Sequence, residues 1–572
     1  MGTKVDLEEI HNVFKLPIEY NQDTKVLKND IINELELTKS INNKELPIYE
    51  CIFDTKNQLS KTILNKTVTK YTTNIQFLQE TQELIRLSSK KPYSDEHIHN
   101  NMLASWKEIK EETGFCEKYL FVSWSFAKDL NSNPHFLQIM SLYNIISPIL
   151  SLCLPIIVLL VPFFIIKMKG LQINLKEYIE VLKVIIKNNA LTKIFTEFNS
   201  VSNGQKVYML FSAFFYLFSI YQNILICVKF YSNMKKIHDY LAQIKEYLIF
   251  TTQIMEQHIE ICKNLITYKP YLNDLQEKYI QIKTTLLDEL TKITSFSVSF
   301  TKVTEIGHIM STFYKLHTST EHNELILYAF GLNGYIELIH TLSTQITTKS
   351  MNFTTYADVS SNCFKHIYYP KFITSSNNCV KNDCDLSSNI IITGPNASGK
   401  TTMLKTILIN SILSQQFGLG CYTEAIINPY DNFYCYLNIP DTSGRDSLFQ
   451  AEARRCKEII DNISLEPNQR HLCIFDELYS GTNPEEAVSS AYAFMKFLCN
   501  NKNVKCLLTT HFIKLCKRLS KHTNINCFNM KTTKINGKLK FKYILIEGIS
   551  KIKGGINVLK DMNYPKEILE NI

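Results

Sequence analysis

Glycine and proline are scarce in this chain, 17 and 15 of 572 residues, which excludes collagen-like and low-complexity chains. No two of the 16 cysteines form a Cys-x-x-Cys pair, and the length is far beyond a disulfide miniprotein, so the thiols point to a reducing, cytosol-facing compartment. The opening MGTKVDLEEI lacks the apolar core of a signal peptide. Asp6 stands where a myristoylation motif starting at Gly2 needs Ser or Thr. What glycine there is lies unevenly: ten of the 17 fall within residues 381–572, while the stretch between Gly204 and Gly307 has none. A turn-rich α/β unit therefore comes after a long helical one, within a length that accommodates about three or four domains.

Charge is missing from two long runs. Phe136 to Ile166 reads FLQIMSLYNIISPILSLCLPIIVLLVPFFII, and Val207 to Val228 reads VYMLFSAFFYLFSIYQNILICV. About 20 apolar residues cover the ~30 Å hydrocarbon core of a bilayer, so residues 136–228 are expected to form a transmembrane hairpin with spans at 136–166 and 207–228. Pro148, Pro155 and Pro162 recur at seven-residue spacing; they are expected to kink the first span and lean it on the second, where neighbours satisfy the freed carbonyls. The alternative is a pair of buried core helices, suggested by Asn144, Gln222 and Asn223, which would leave the protein soluble and cytoplasmic. Orientation signals conflict. Seven lysines from Lys167 to Lys206 place the connecting loop in the cytoplasm, whereas a hairpin with both flanks in the cytosol places it outside.

Residues 1–130 carry apolar positions at helical spacing and no catalytic constellation. Residues 229–364 read as long helices on either side of Pro270. Between Lys229 and Lys371, 14 basic residues face 13 acidic ones, without the surplus of a phosphate-gripping arm, so this region reads as a lever or packing scaffold. From Lys496 onward 16 basic residues outnumber four acidic ones, a surplus of 12 against +8 for the whole chain. Such a surplus suits nucleic acid or an anionic membrane, or simply a solvated lysine-rich surface. Phe115-x-Glu117 matches a pattern that wedges an aromatic ring beside a mispaired base, but 33 phenylalanines make a chance match expected.

Chemistry concentrates in residues 365–572. IIITGPNASGKTT at 390–402 is an apolar strand followed by Gly394-x4-Gly399-Lys400-Thr401 and a helical pattern, the order that a phosphate-binding loop requires. Gly394, Pro395, Asn396, Ala397, Ser398, Gly399, Lys400, Thr401 and Thr402 are the candidate cofactor-binding residues for ATP. Backbone N–H groups and a helix N-terminus supply positive potential, Lys400 reaches the terminal phosphates, and the Thr401 hydroxyl ligates Mg2+. A second apolar strand, HLCIF, delivers Asp476 and Glu477, one carboxylate to orient the Mg2+ shell and the other to polarise the attacking water. A third, VKCLLTT, ends at His511, placed to sense the γ-phosphate or hold that water.

These residues resemble the MutS family of DNA mismatch-repair ATPases, within the ABC-type ATPase class. Gly394 to Thr402 is similar to the family's GPNxxGKST loop, with Thr401 for Ser; Asp476-Glu477 with Ser480-Gly481-Thr482 is similar to DExxxGT; Thr510-His511 resembles its TH switch; and Gly444-Arg445-Asp446-Ser447-Leu448-Phe449-Gln450-Ala451-Glu452 resembles GxSxFxxE. Val380 to Asp383 sits where the family has its xND segment, and Gly548, Gly555 and Pro565 match its closing helix. No LSGGQ string of ABC transporters occurs. The resemblance implies an α/β C-terminal ABC-type P-loop ATPase domain, preceded by a mostly α-helical lever region and the transmembrane helical hairpin.

It further implies a homodimer whose two sites are completed across the interface by Ser447, Phe449, Glu452 and Asn483, with Glu477 and His511 catalytic and Thr401 and Asp476 on Mg2+. The leading expectation is an ATP-driven, DNA-associated protein anchored to a membrane, its ATPase domain facing the cytosol. A membrane-bound switch or scaffold that has lost DNA binding is the alternative, because no mismatch-reading domain, basic clamp or nuclease-like module is recognisable. An ABC transporter is disfavoured by the missing LSGGQ and by only two spans per chain.

Overall fold

The computed structural model describes the chain apart from residues 1–6, 43, 56, 89–95, 112, 171–174, 189–201, 298, 359–361, 376–378, 438–446, 536–537, 553–563, 566 and 568–572. Gly2, Asp6, Gly444, Arg445, Asp446, Gly555, most of the expected closing helix and much of the 167–206 loop lie outside the described residues. The chain divides into two compact units. One comprises Glu96–Thr252 and Ile280–Ile326; the other comprises Leu7–Asp95, Gln253–Tyr279 and Leu327–Ile572, each in its described residues.

The second unit is built on a six-stranded sheet. In chain order its strands are β1 (Asn389–Thr393), β2 (Asn432–Tyr436), β3 (His471–Asp476), β4 (Val504–Thr509), β5 (Ile525–Ile535) and β6 (Lys538–Glu547). They lie in the order β2-β3-β4-β1-β5-β6. All neighbours are parallel except β5 and β6. Every residue of β1 and the first five of β3 are buried, which is why these strands read as unbroken apolar runs: both faces of a parallel sheet are covered. The helices of this sheet are α1 (Lys400–Phe417), α2 (Leu448–Leu465), α3 (Pro484–Cys499) and α4 (Ile513–Leu519). Much of the lysine surplus after Lys496 falls on α4 and on the β5–β6 ribbon, whose outer half extends beyond the part of β5 paired to β1.

Helix α1 is buried on almost all sides, including Asn410, Ser411, Ser414, Gln415 and Gln416. Buried amides cost free energy unless bonded, and here they are. Gln415 donates to Tyr430 O at 2.8 Å and accepts from Tyr430 N at 2.8 Å. Gln416 donates to Val68 O at 3.0 Å and accepts from the Tyr49 hydroxyl at 2.5 Å. Gln82 donates to Gly418 O at 2.7 Å, just past the helix end. Residues Leu7–Asp95 therefore group with the sheet, whereas the boundary read from the sequence lies at 130.

The first unit holds the two charge-free runs. They lie in helices Pro134–Met168 and Asn203–Cys262, each longer than the expected span, and the first runs unbroken through Pro148, Pro155 and Pro162. Ser147 Oγ donates to Asn144 O at 3.4 Å, the carbonyl that Pro148 leaves without its helical N–H. The helices meet through polar groups: Asn223 Nδ2 donates to Ser151 Oγ at 3.1 Å, the Tyr216 hydroxyl to Leu152 O at 3.3 Å, and Cys227 Sγ to Ile145 O at 3.7 Å. By length and composition, Pro134–Cys153, Asn203–Cys262 and Thr320–Thr347 could each cross a membrane; the apolar window is 17% buried in the first, 0% in the second and 78% in the third. The third is thus an interior helix.

Phe115 is 3% exposed, stacked on His317 at 3.7 Å and packed against Phe121 and Phe313. It is a core ring of the first unit, which removes the base-wedge reading of Phe115-x-Glu117. The base of the first apolar helix is clamped to helix Phe300–Thr318: Gln138 accepts from Gly307 N at 2.8 Å and donates to Val303 O at 2.6 Å. A Cβ at Gly307 would stand 2.1 Å from Pro134 O.

Helix propensity alone would make Gly307→Ala stabilising by about 1 kcal/mol. Overpacking against a backbone carbonyl costs about 1–3 kcal/mol and wins, so Gly307→Ala is expected to lower the thermal midpoint of the full-length protein; an unchanged or raised midpoint would contradict this close approach.

Candidate functional site

Strand β1 ends at Thr393 and the chain turns back over its edge before α1 begins at Lys400. Ala397 and Gly399 have φ of +62° and +93° on either side of Ser398, which has no such φ, an alternation of the kind that curls backbone N–H groups into an anion-binding concavity. A Cβ at Gly399 would lie 3.1 Å from the Tyr543 ring, so glycine suits both the conformation and the space. The Ser398 hydroxyl is buried without a hydrogen-bond partner.

Two carboxylates and an imidazole converge on this loop from β3 and β4. Asp476, the last residue of β3, accepts from Thr401 Oγ1 at 2.7 Å and also from Thr509 Oγ1. Glu477 comes next with φ +53°, its N–H bonded to Thr509 O at 3.1 Å. His511 Nε2 lies 2.7 Å from Glu477 Oε1 and 3.3 Å from Lys400 Nζ. Protonated, Nε2 donates to Glu477; unprotonated, the same atom accepts from Lys400, so the contact made depends on the imidazole's tautomer. The hydrogen bond from His511 holds the Glu477 carboxyl below its ordinary pKa. Lys400 is 6% exposed, 4.0 Å from Glu477, and burial pulls its ammonium below the usual lysine value.

A cavity of about 820 Å³ opens from the loop. Its walls include Asn396 to Thr402 and Glu477, as read from the sequence, and also Tyr369, Phe372, Met530 and Tyr543, which sequence reasoning missed. The only sequence signal near them is Asn382 of the xND segment. It donates to Tyr543 O at 3.1 Å and accepts from Leu545 N at 2.7 Å, fixing β6 at the cavity mouth.

The residues expected at a subunit interface divide into two kinds. Ser447 and Asn483 are exposed N-caps: Ser447 Oγ accepts from Gln450 N at 3.3 Å at the start of α2, and Asn483 Oδ1 accepts from Glu485 N and Glu486 N at 3.1 and 3.0 Å at the start of α3. Phe449 and Glu452 face their own chain. Phe449 packs on the core beside Tyr479, ring centroids 5.6 Å apart. Glu452 is 2% exposed and accepts from Ser480 N, Ser480 Oγ and Gly481 N at 3.1, 3.1 and 3.2 Å, shaping the turn after Glu477.

The arrangement fits a Mg2+-bound nucleoside triphosphate on chemical grounds: a glycine cradle, a buried lysine, an unpartnered Ser398 hydroxyl, and hard oxygens on Thr401 and Asp476. No group of three or more His, Cys, Asp or Glu able to hold a metal occurs among the described residues. Mg2+ takes one or two protein oxygens and completes its shell from phosphate and water.

Residues 390–572 match the family model for MutS domain V. The chain is 31% identical over 214 residues to the DNA mismatch repair protein MutS of Orientia tsutsugamushi (strain Ikeda), covering 36% of this chain and 23% of that protein. It is 28% identical over 198 residues to MutS of Listeria monocytogenes serovar 1/2a, covering 33% and 22%, and 28% identical over 196 residues to MutS of Pseudothermotoga lettingae, covering 33% and 24%. The matched stretch spans about a quarter of the length of these curated relatives.

Because the folded pKa of Glu477 lies below its ordinary 4.5, its contribution to stability is present above pH 4.5 and is lost as pH falls through the lowered value. His511→Gln is expected to flatten the loss of stability with acid in that window, measured by denaturant unfolding from pH 5 to 3. Superimposable profiles would contradict the coupling.

Proposed function

We infer, from a C-terminal third that matches MutS domain V, that this chain binds and hydrolyses ATP with Mg2+ and uses the cycle to drive a conformational change. Its role is MutS-like and DNA-associated, in mismatch repair or recognition of DNA structure, and it is exerted from a membrane anchor. The observation that carries the ATPase part is the convergence of the 394–402 loop, Asp476, Glu477 and His511 at the ends of three adjacent strands, β3, β4 and β1.

The lining residues suggest a division of labour. Lys400 and the loop N–H groups take the phosphates, while Tyr369, Phe372, Met530 and Tyr543 offer apolar walls for the nucleoside. Thr401 and Asp476 are the residues to hold Mg2+, which when bound neutralises charge on the phosphates. Glu477, kept ionised by His511, accepts hydrogen bonds from the attacking water and polarises it. In the closed homodimer Ser447, at an exposed helix N-terminus, caps the terminal phosphate of the other subunit, and the loop carrying Asn483 crosses the interface. Phe449 and Glu452 then act by holding α2 and the 480–481 turn in shape.

Membrane anchoring is supported by the two helices whose apolar windows remain 17% and 0% buried, joined by polar contacts of the kind that glue membrane helices. The ATPase domain then faces the cytosol. The near balance of charge from Lys229 to Lys371 favours a second reading, a membrane-bound ATPase switch or scaffold without DNA binding.

Lys400→Ala is expected to abolish nucleotide binding, and Glu477→Gln to retain ATP and trap the closed dimer, read by nucleotide retention and size on a sizing column; wild-type turnover by Glu477→Gln would sink the catalytic assignment. Mobility shifts with homoduplex, mismatched and branched DNA at stated salt, with ATP, are expected to show a retarded complex. No shift on any substrate would favour the scaffold.

A further inference from the structure

An exposed aromatic pair stands immediately before the first apolar helix. Trp124 is 66% and Phe126 85% exposed, with Leu130 at 42%. The two rings stack with centroids 5.7 Å apart and planes 14° apart. The chain has two tryptophans, and the other, Trp106, is 1% exposed.

The pair does not sit on a loose loop. Asn131, fully buried, accepts from Val122 N and donates to Val122 O, both at 2.9 Å, closing the segment on itself. Ala127 is buried, and Ser132 O accepts from Ser311 Oγ at 2.8 Å. The short 3-10 helix Ser125–Ser132 leads directly into Asn133, the N-cap of helix Pro134–Met168. That helix goes on to expose Ile139, Tyr143, Ile146, Ile149 and Leu150. The aromatic surface is therefore continuous along the chain with the apolar hairpin surface, and it lies at the end where charge resumes: Lys128 and Asp129 are exposed beside it, and Lys229, directly after the second run, donates to Glu117 O at 3.0 Å.

We propose that Trp124 and Phe126 form a preordered interfacial anchor that inserts into the headgroup-acyl boundary of a lipid bilayer and sets the depth of the hairpin. This rests on the membrane reading above. Tryptophan favours that boundary, where its ring meets acyl chains and its N–H meets water. A flexible aromatic would lose conformational freedom on insertion, whereas this pair is held in place by Asn131 and Ser132 beforehand. Phe126 supplies apolar area, and Lys128 reaches back to the headgroups.

The test uses the full-length chain in nanodiscs of phosphatidylcholine brominated either near the headgroup end of the acyl chain or near its tail. The expected result is loss of tryptophan emission that is larger with shallow than with deep bromine and disappears in Trp124→Phe, leaving only buried Trp106. A control, Leu160→Trp in the Trp124→Phe background, reports mid-helix depth, since Leu160 is 46% exposed. Trp124 unquenched while Trp at 160 is quenched by deep bromine overturns the anchor and leaves the hairpin standing. Both unquenched overturns the membrane reading and the anchor with it.

Discussion

The Asp476 carboxylate bonds the hydroxyls of Thr401 and Thr509, and the edge of the sheet that carries the 394–402 loop depends on that bridge. It ties the end of β3 to the end of β4 and to the first turn of α1. Three elements remote in sequence are thereby held within hydrogen-bond reach of one point. The oxygens that bond these hydroxyls are hard donors of the kind that suit Mg2+.

Around that bridge, support comes from parts of the chain with no chemistry of their own. Helix α1 ends among amides that bond the 49–82 region and Tyr430. The loop it carries is therefore braced from behind by the N-terminal segment. Glu452 does the same for the 480–481 turn, and Asn382 for Tyr543. Such supporting contacts fix the reacting groups more firmly than loop geometry could alone.

Much of the site was legible in the sequence because its signals are local. A buried parallel strand reads as an apolar run, and the residues at or just past its end land on one edge of the sheet; that rule points to Asp476, Glu477 and His511, while Lys400 is read from the Gly394-x4-Gly399-Lys400-Thr401 spacing. The cavity walls were not legible. Tyr369 and Phe372 come from one segment, Met530 from β5 and Tyr543 from β6, and these three parts of the chain come together only in the folded unit. Glu452 and Phe449 share a motif with Ser447, yet the period of α2 turns them inward and leaves Ser447 at its exposed start, a distinction that needs the core to be known. Phe115 could not be told from a surface wedge by sequence, because burial against His317 and Phe313 depends on helices two hundred residues away. The three prolines of the first apolar run all fall within helix Pro134–Met168, and Ser147 bonds the carbonyl freed by Pro148.

We infer that the 394–402 loop and Asp476 together form a Mg2+-dependent ATP site. Calorimetric titration of ATP into the full-length protein tests it most directly, run once with Mg2+ and once with the metal chelated. Saturable binding of one ATP per chain, weakened on chelation, is the predicted result. No saturable heat in either condition, or the same affinity in both, would contradict it.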